Sequence, residues 1–321
     1  MAPSVYGRVG SMSAVVHQPE GEQERQQALQ ALLSCPTYSI HASQRTPGEL
    51  AAARDSIPVP VAGCRDVYHC GFHDEKSYGA TPYLIRRRAQ PSGSTGTHHQ
   101  HSPAAAAAPA ASGGQQQEPA AAGSGGGEGS QGWANIMVDV PRWNPSLAKR
   151  LEQLGGVRYI FLTHQDDVGD HAKWAAHFGA TRIIHRLEVN RKQGTDKAEW
   201  QLEGEGPWEQ LGPDVLLIFT PGHTPGCVSL LYQPAKALFT GDHLFVSKQD
   251  RARLRICREY NWHSVSQQLD SLQKLLQYDF LHVLPGHGPR TSYADPGSVK
   301  QALRDVLQAE GWSQPARAAA V

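Results

Sequence analysis

The most constraining feature of this 321-residue chain is a recurrence. Short apolar runs stop at a histidine or aspartate set beside glycine or proline. Arg158–Leu162 leads to His164, Val215–Thr220 to His223, Ala237–Thr240 to Asp242, and Leu281–Leu284 to His287. Runs of that length and β-branched content read as strands, and Ile136–Val140, Arg182–His185 and Cys227–Tyr232 read the same way. The polar residues then fall on loops at strand ends, where a rigid scaffold can aim them into one cleft. Helical patterns lie between. Leu147, Leu151 and Leu154 share one face of Pro145–Leu154, and Leu269, Leu272 and Leu276 one face of Val265–Leu276. Asp170–Phe178 has an N-cap residue in Asp170 and a stop in Gly179, and Val299–Glu310 forms a last helix. Strands interleaved with helices predict an α/β layered fold with helices covering sheets.

The residues so presented are His164, Asp166, Asp170, His171, His223, Asp242 and His287. Imidazoles and carboxylates are ligands for zinc or iron, the ions that activate water. Asp166 stands two residues after His164, so an extended backbone points both to one side and Asp167 to the other. Asp170 and His171 open a helix, where the macrodipole favours an ionised carboxylate.

The set resembles the metallo-β-lactamase superfamily: a Thr-His motif, a lone His, a bridging Asp and a final His in Gly-His-Gly. The resemblance covers roughly residues 64–86 and 133–310. It implies a four-layer αββα sandwich around a mono- or dinuclear metal centre. It also implies that His164, His223 and Asp166 hold one ion, that Asp170, His171 and His287 hold a second, and that Asp242 bridges them. Asp139 matches an early aspartate that supports the site. The family's His-x-His-x-Asp-His motif is altered here to His164-Gln-Asp-Asp-Val-Gly-Asp170-His171, which is longer and has Asp166 where the second histidine belongs. Zinc, as one or two ions, is the expected metal. The added carboxylate makes iron the competitor, since oxygen-rich ligation suits it, and resembles the di-iron flavoprotein branch.

The expected activity is metal-dependent hydrolysis of a small ester, thioester or lactone. Asp170 would handle the water proton and His243, next to Asp242, would touch the substrate. The alternatives are an iron-dependent oxidoreductase served by an electron-transfer partner, and a non-catalytic metal-binding protein. Residues 69–78, 187–208 and 244–262 would wall the substrate cleft. The last contains Lys248, Arg251, Arg253 and Arg255, either a solvated face or a handle for an anionic substrate.

The chain's start has a second resemblance. Met1-Ala-Pro-Ser-Val-Tyr and a later Cys35-Pro36 are similar to the back two-thirds of a single-cluster bacterial-type ferredoxin. That implies that Cys35 is the fourth ligand of an iron–sulfur cluster whose other three cysteines would precede Met1. Two expectations follow: a structural arm, or a start at an internal methionine of a longer protein. Ferredoxin parts joined to such hydrolases resemble a group from photosynthetic organisms, which favours the longer protein and implies a chloroplast or cytoplasmic location.

The expected organisation is a partial ferredoxin-like segment at 1–43, a linker at 44–62, a main domain at 63–312 and a tail at 313–321. An insertion at 89–132 interrupts the main domain. It contains no Leu, Ile, Val or aromatic residue, so it cannot bury enough apolar surface to offset chain entropy, and disorder is expected. Its flanks, Thr81–Arg86 and Ile136–Val140, read as paired strands. His98, His99 and His101 within it read as low-complexity drift.

Thirty basic residues balance thirty acidic ones, so no electrostatic footprint for nucleic acid or an anionic membrane exists. The longest apolar run, Val215–Phe219, is far short of the roughly 20 residues of a membrane span. Five cysteines without CxxC spacing argue against a disulfide framework. A small-molecule substrate is the expected partner, and the sequence leaves the oligomeric state open.

Overall fold

A computed structural model of the protein describes residues 2–10, 12–89, 132–250 and 253–313. The expected insertion and tail therefore lie outside the described residues except at their edges, as do His98, His99, His101 and Arg251.

The segment resembling ferredoxin comprises a hairpin, β1 (Tyr6–Val9) and β2 (Met12–Val15), and a helix, α1 (Gly21–Ser34). The stretch expected as a linker is ordered. It holds α2 (Glu49–Asp55), where Leu-Ala-Ala-Ala favours helix and Ala53 is buried, and the edge strand β3 (Val59–Pro60).

From there the main domain alternates. β4 (Val67–His69), β5 (Tyr83–Ile85), β6 (Ile136–Val138), α3 (Pro145–Gln153), β7 (Tyr159–Phe161), α4 (His171–Phe178), β8 (Thr181–His185) and β9 (Trp200–Leu202) build the first sheet and its helices. β10 (Val215–Phe219), β11 (Val228–Tyr232) and β12 (Ala237–Gly241) begin the second sheet. A small hairpin, β13 (Phe245–Val246) and β14 (Leu254–Arg255), precedes α5 (Val265–Leu275), β15 (His282–Pro285), β16 (Thr291–Ser292) and α6 (Pro296–Ala309). Among the described residues the first sheet runs β3 to β9 in order, and the second runs β10-β11-β12-β15-β16.

The layers follow from side-chain alternation. Val215, Leu217 and Phe219 of β10 face inward with Ile136, Phe161 and Ile183 of the first sheet. The intervening Leu216 and Ile218 face outward, onto Leu269 and Leu272 of α5 and Val299 and Leu303 of α6. On the far side Met137, Ile160 and Ile184 pack against Leu147 and Leu151 of α3 and Trp174 of α4. Each sheet is thus covered on both faces, which is why its strands are continuous apolar runs. The result is the four-layer αββα sandwich. Leu272 is fully buried in the outer layer, so Leu272→Ala will lower stability by about 2–5 kcal/mol in urea denaturation.

β6, β7 and β8 are parallel, as are β12 and β15. Their C-terminal ends therefore open on one edge, and the loops leaving them carry Asp139, His164, Asp242 and His287. The expected pairing across the insertion is present, with β5 antiparallel to β6 and a further bridge between Arg88 and Trp133.

Candidate metal centre

His164 is fixed by a short relay. Asp139 is buried with φ at 51°, and its carboxylate accepts from the Thr163 backbone N–H at 2.9 Å and from the Thr163 hydroxyl at 3.1 Å. The hydroxyl also lies 3.0 Å from His164 Nδ1. With the hydroxyl proton given to Asp139, Nδ1–H donates to the threonine oxygen and Nε2 keeps a bare lone pair. That Nε2 is buried and has no hydrogen-bond partner.

Four further donors converge on it. Asp166 Oδ2 lies 3.8 Å from His164 Nε2 and 3.6 Å from His223 Nε2. Asp242 Oδ2 lies 3.9 Å and 4.0 Å from the same two nitrogens. Asp167 completes a second group with His164 and Asp242, whose ligand atoms all lie within 4.8 Å of one another. A tetrahedral ion bound at about 2.1 Å has ligand–ligand edges of about 3.4 Å, so these separations suit an ion. His223 and Asp167 also have buried polar atoms without partners. Orphaned buried groups cost free energy unless something satisfies them, and a cation would.

Charge tells the same story. Burial, then the neighbouring charges of Asp242, Asp139 and Asp166, push the Asp167 carboxyl well above its usual range. Burial raises Asp139 to about 7 against the opposing Thr163 bonds. Burial lowers His164 to about 4, which keeps its ring neutral and able to ligate.

The altered motif resolves in a way the spacing did not foretell. Gln165–Asp167 forms a 3-10 turn instead of an extended stretch. Positions three apart are eclipsed in such a turn, so Asp167, expected to point away, returns to the side of His164. Gly169, at φ 35°, then swings the chain off the site. Asp170 stands at the N-cap position without capping. It accepts from Lys76 Nζ at 2.7 Å and from the Trp143 N–H at 2.8 Å, and pairs with Lys173. His171 Nε2 lies 2.9 Å from the Gln193 carbonyl and its Nδ1 lies 3.4 Å from an Arg182 nitrogen, so both ring nitrogens are engaged. Neither Asp170 nor His171 joins the converging donors.

His287 stands beside the cluster, donating from Nδ1 to Asp242 at 2.7 Å, while its Nε2 is buried and unpartnered. His243 is fully buried with both ring nitrogens unpartnered, so no face of it is open to a substrate. Arg253 and Arg255 line a cavity with Asp305 of α6 and Glu310 just past its end. Acids there share the field, and Arg255 pairs with Glu259 at 3.8 Å. Their positive charge is thus partly offset by neighbouring carboxylates.

Supporting residues were absent from the sequence reading. Glu188 is fully buried and ties two ligand loops together, accepting from the Gln165 N–H at 2.9 Å and from the Gly226 N–H at 2.5 Å. Gln268 on α5, also buried, donates to the His243 carbonyl at 2.6 Å and accepts from Asn261 at 2.8 Å. Two glycines permit close approach. A Cβ on Gly286 would sit 2.9 Å from Asp167 Oδ2, and one on Gly222, at φ 145°, would sit 2.3 Å from the Gln268 Cα. Gly222→Ala will therefore displace the His223 loop from α5 and destabilise the protein by about 3 kcal/mol or more, read as a shift in urea midpoint.

The sequence profile of the metallo-beta-lactamase superfamily matches residues 122–287, just over half of the chain. The chain belongs to the metallo-beta-lactamase superfamily. A second profile, the 4Fe-4S single cluster domain of Ferredoxin I, matches residues 1–42. Solved structures of the superfamily are similar. One is an archaeal metallo-beta-lactamase superfamily protein from Sulfolobus tokodaii, at 17% identity over 75% of this chain and 85% of that one, with a TM-score of 0.43. Another is ETHE1 from Myxococcus xanthus, at 18% identity over 76% of this chain and 91% of that one, with a TM-score of 0.40. Residues 1–42 contain one cysteine, Cys35, whose Sγ lies 3.5 Å from the Thr37 hydroxyl and 3.4 Å from that of Ser39. A four-iron cluster takes four cysteine ligands, so these residues do not fit one.

Proposed function

We propose that this member of the superfamily is a metal-dependent hydrolase of a small ester, thioester or lactone. The observation that carries the reading is the convergence of His164, Asp166, His223 and Asp242, with the Nε2 atoms of both histidines buried and unpartnered. These four would hold the ion, together with Asp167, whose ligand atom lies within 4.8 Å of those of His164 and Asp242. Zinc or iron bound there supplies a Lewis acid that lowers the pKa of water and polarises a carbonyl.

The chain's own groups supply the rest. Asp167 has both oxygens buried and free of hydrogen bonds, which leaves them available to the ion. Asp166 is the more exposed carboxylate, its side chain 25% accessible, and leaves the cluster open on one side. Catalytic sites keep such an opening, whereas structural ones are closed. Trp262 is 65% exposed and its backbone N–H donates to the His223 carbonyl at 2.9 Å, which sets an aromatic residue next to the ligand loop. Leu187 is likewise exposed, one residue before Glu188. An acyl or aromatic group on the substrate would have these to rest on.

The test is metal analysis of protein purified without added metal, followed by turnover of thioester, lactone and ester panels with the reconstituted chain. Stoichiometric metal without turnover of any panel member sinks the hydrolase reading. The iron oxidoreductase remains the second reading, favoured by the three carboxylates Asp166, Asp167 and Asp242 in the donor set. Iron as purified, with oxygen uptake in place of hydrolysis, would select it.

A further inference from the structure

The metal centre has a wall from an unexpected source. Arg142 lies just past the strand end that carries Asp139, and its guanidinium donates to three carbonyls. Two belong to the end of α1 and the residue after it: Leu33 at 2.5 Å and Cys35 at 2.8 Å. The third is His73, at 3.2 Å. Helix ends leave carbonyls unpaired and carry partial negative charge, so a cation there is favourable twice over. The His73 N–H donates in turn to the Ser34 carbonyl at 3.1 Å, and the Arg142 guanidinium lies 4.4 Å from the Tyr38 ring centroid. Gly79, at φ 81°, lets Pro36 approach so closely that an added Cβ would meet it at 3.2 Å. The Cys35–Pro36 turn is thus latched onto the loop of residues 70–81.

That loop in turn holds both ligand turns. Thr81 N–H donates to the Gly286 carbonyl at 2.7 Å, and Gly286 is the residue whose missing Cβ leaves room for Asp167 and Asp242. On its other side Asp74 and Ser77 press on Gly169, 2.9 Å and 3.0 Å from where its Cβ would be, two residues past Asp167. We propose that Arg142 is a positioning residue: by latching the Cys35–Pro36 turn to residues 70–81, it makes the ferredoxin-like segment a fixed outer wall that holds the Asp167 and His287 turns in register. The proposal rests on the metal-centre reading, since it is that site which is walled.

The test uses the full chain with zinc alone as the probe. Zinc affinity is read by chelator competition and loop order by amide hydrogen exchange. In Arg142→Met, the amides of His73 and Thr81 should exchange roughly tenfold faster while those of β10 and β11 hold their rates. Zinc affinity should fall by up to about tenfold, the low end of the loss expected for a ligand's own outer hydrogen-bond partner, because Arg142 acts through the loop and not on a ligand itself. Arg142→Lys should recover part of both, because one ammonium cannot reach three carbonyls. Should Arg142→Met not fold, Tyr38→Ala removes only the exposed ring over the guanidinium, and smaller changes in the same direction are expected. Faster loop exchange with unchanged zinc affinity overturns the proposal, as does unchanged exchange. A wild-type chain that binds no zinc removes the centre and the proposal together; one that binds zinc but ignores Arg142 removes the proposal alone.

Discussion

Exchanging Asp167 for alanine will empty the metal centre, whereas the same exchange at Asp170 will leave it filled. The two carboxylates sit three residues apart, and the family motif points to Asp170. The structure brings Asp167 within ligating distance of His164 and Asp242, and binds Asp170 to Lys76 and the Trp143 N–H. Loss of an outer hydrogen-bond partner costs about 10–100-fold in metal affinity, and loss of a direct ligand should exceed that. Asp170→Ala should instead strand the Trp143 N–H and cost about 1–3 kcal/mol of stability with the metal retained. Elemental analysis separates the two variants. Thermal unfolding does so again, because an ion at a hundred times its Kd adds about 2.7 kcal/mol to a chain that can bind it. Asp167→Ala should show no such increment. Equal metal content in the two variants would return the motif to its usual reading.

The second large effect is expected at Glu188, far from any motif. Its two carboxylate oxygens accept from the Gln165 and Gly226 backbones, one on the turn of His164 and Asp166, the other on the loop of His223. Burial raises its pKa, and the Thr224 hydroxyl and those two N–H groups pull it back. Alanine there would leave two buried N–H groups unpaired, at about 1–3 kcal/mol each. The loops would also lose their common anchor. Glu188→Ala should therefore unfold at markedly lower denaturant and bind zinc about 10–100-fold more weakly, while Glu188→Gln, which keeps one acceptor, should fall between. Unchanged zinc affinity in the alanine variant would show that the loops hold their places without it.

What could be read from the sequence divides along a physical line. The sandwich was legible because strands buried on both faces are short continuous apolar runs, as in β10, whereas helices such as α5 carry an apolar stripe at helical spacing. His164, His223 and Asp242 were legible because each stands within four residues of a strand end, so local geometry places it at that edge of the sheet. Asp167 was not, because its direction depends on a 3-10 turn at residues 165–167, and short turns carry little pattern. The adjacent acidic pair Asp166-Asp167 was the one available hint. α2 was hidden by the Pro and small residues around it, and Glu188 and Arg142 by distance. Their partners lie 23 and 38 positions away for Glu188 and 69 to 109 for Arg142, and such contacts leave no local signature.

The β5–β6 hairpin has a consequence for how this protein tolerates change. The chain departs at Ala89 and returns at Gly132, and the Ala89 N–H meets the Gly132 carbonyl at 2.8 Å. That junction stands at the opposite end of β6 from Asp139. The two described ends of the stretch thus meet on the side of β6 away from the metal centre. Swapping residues 90–131 for a two-residue Asn-Gly turn should leave metal content and turnover as they were, because the junction would simply be closed by fewer links. Lineages carrying this fold would then be free to lengthen, shorten or rewrite that stretch, and to hang new binding motifs on it, without retuning the centre.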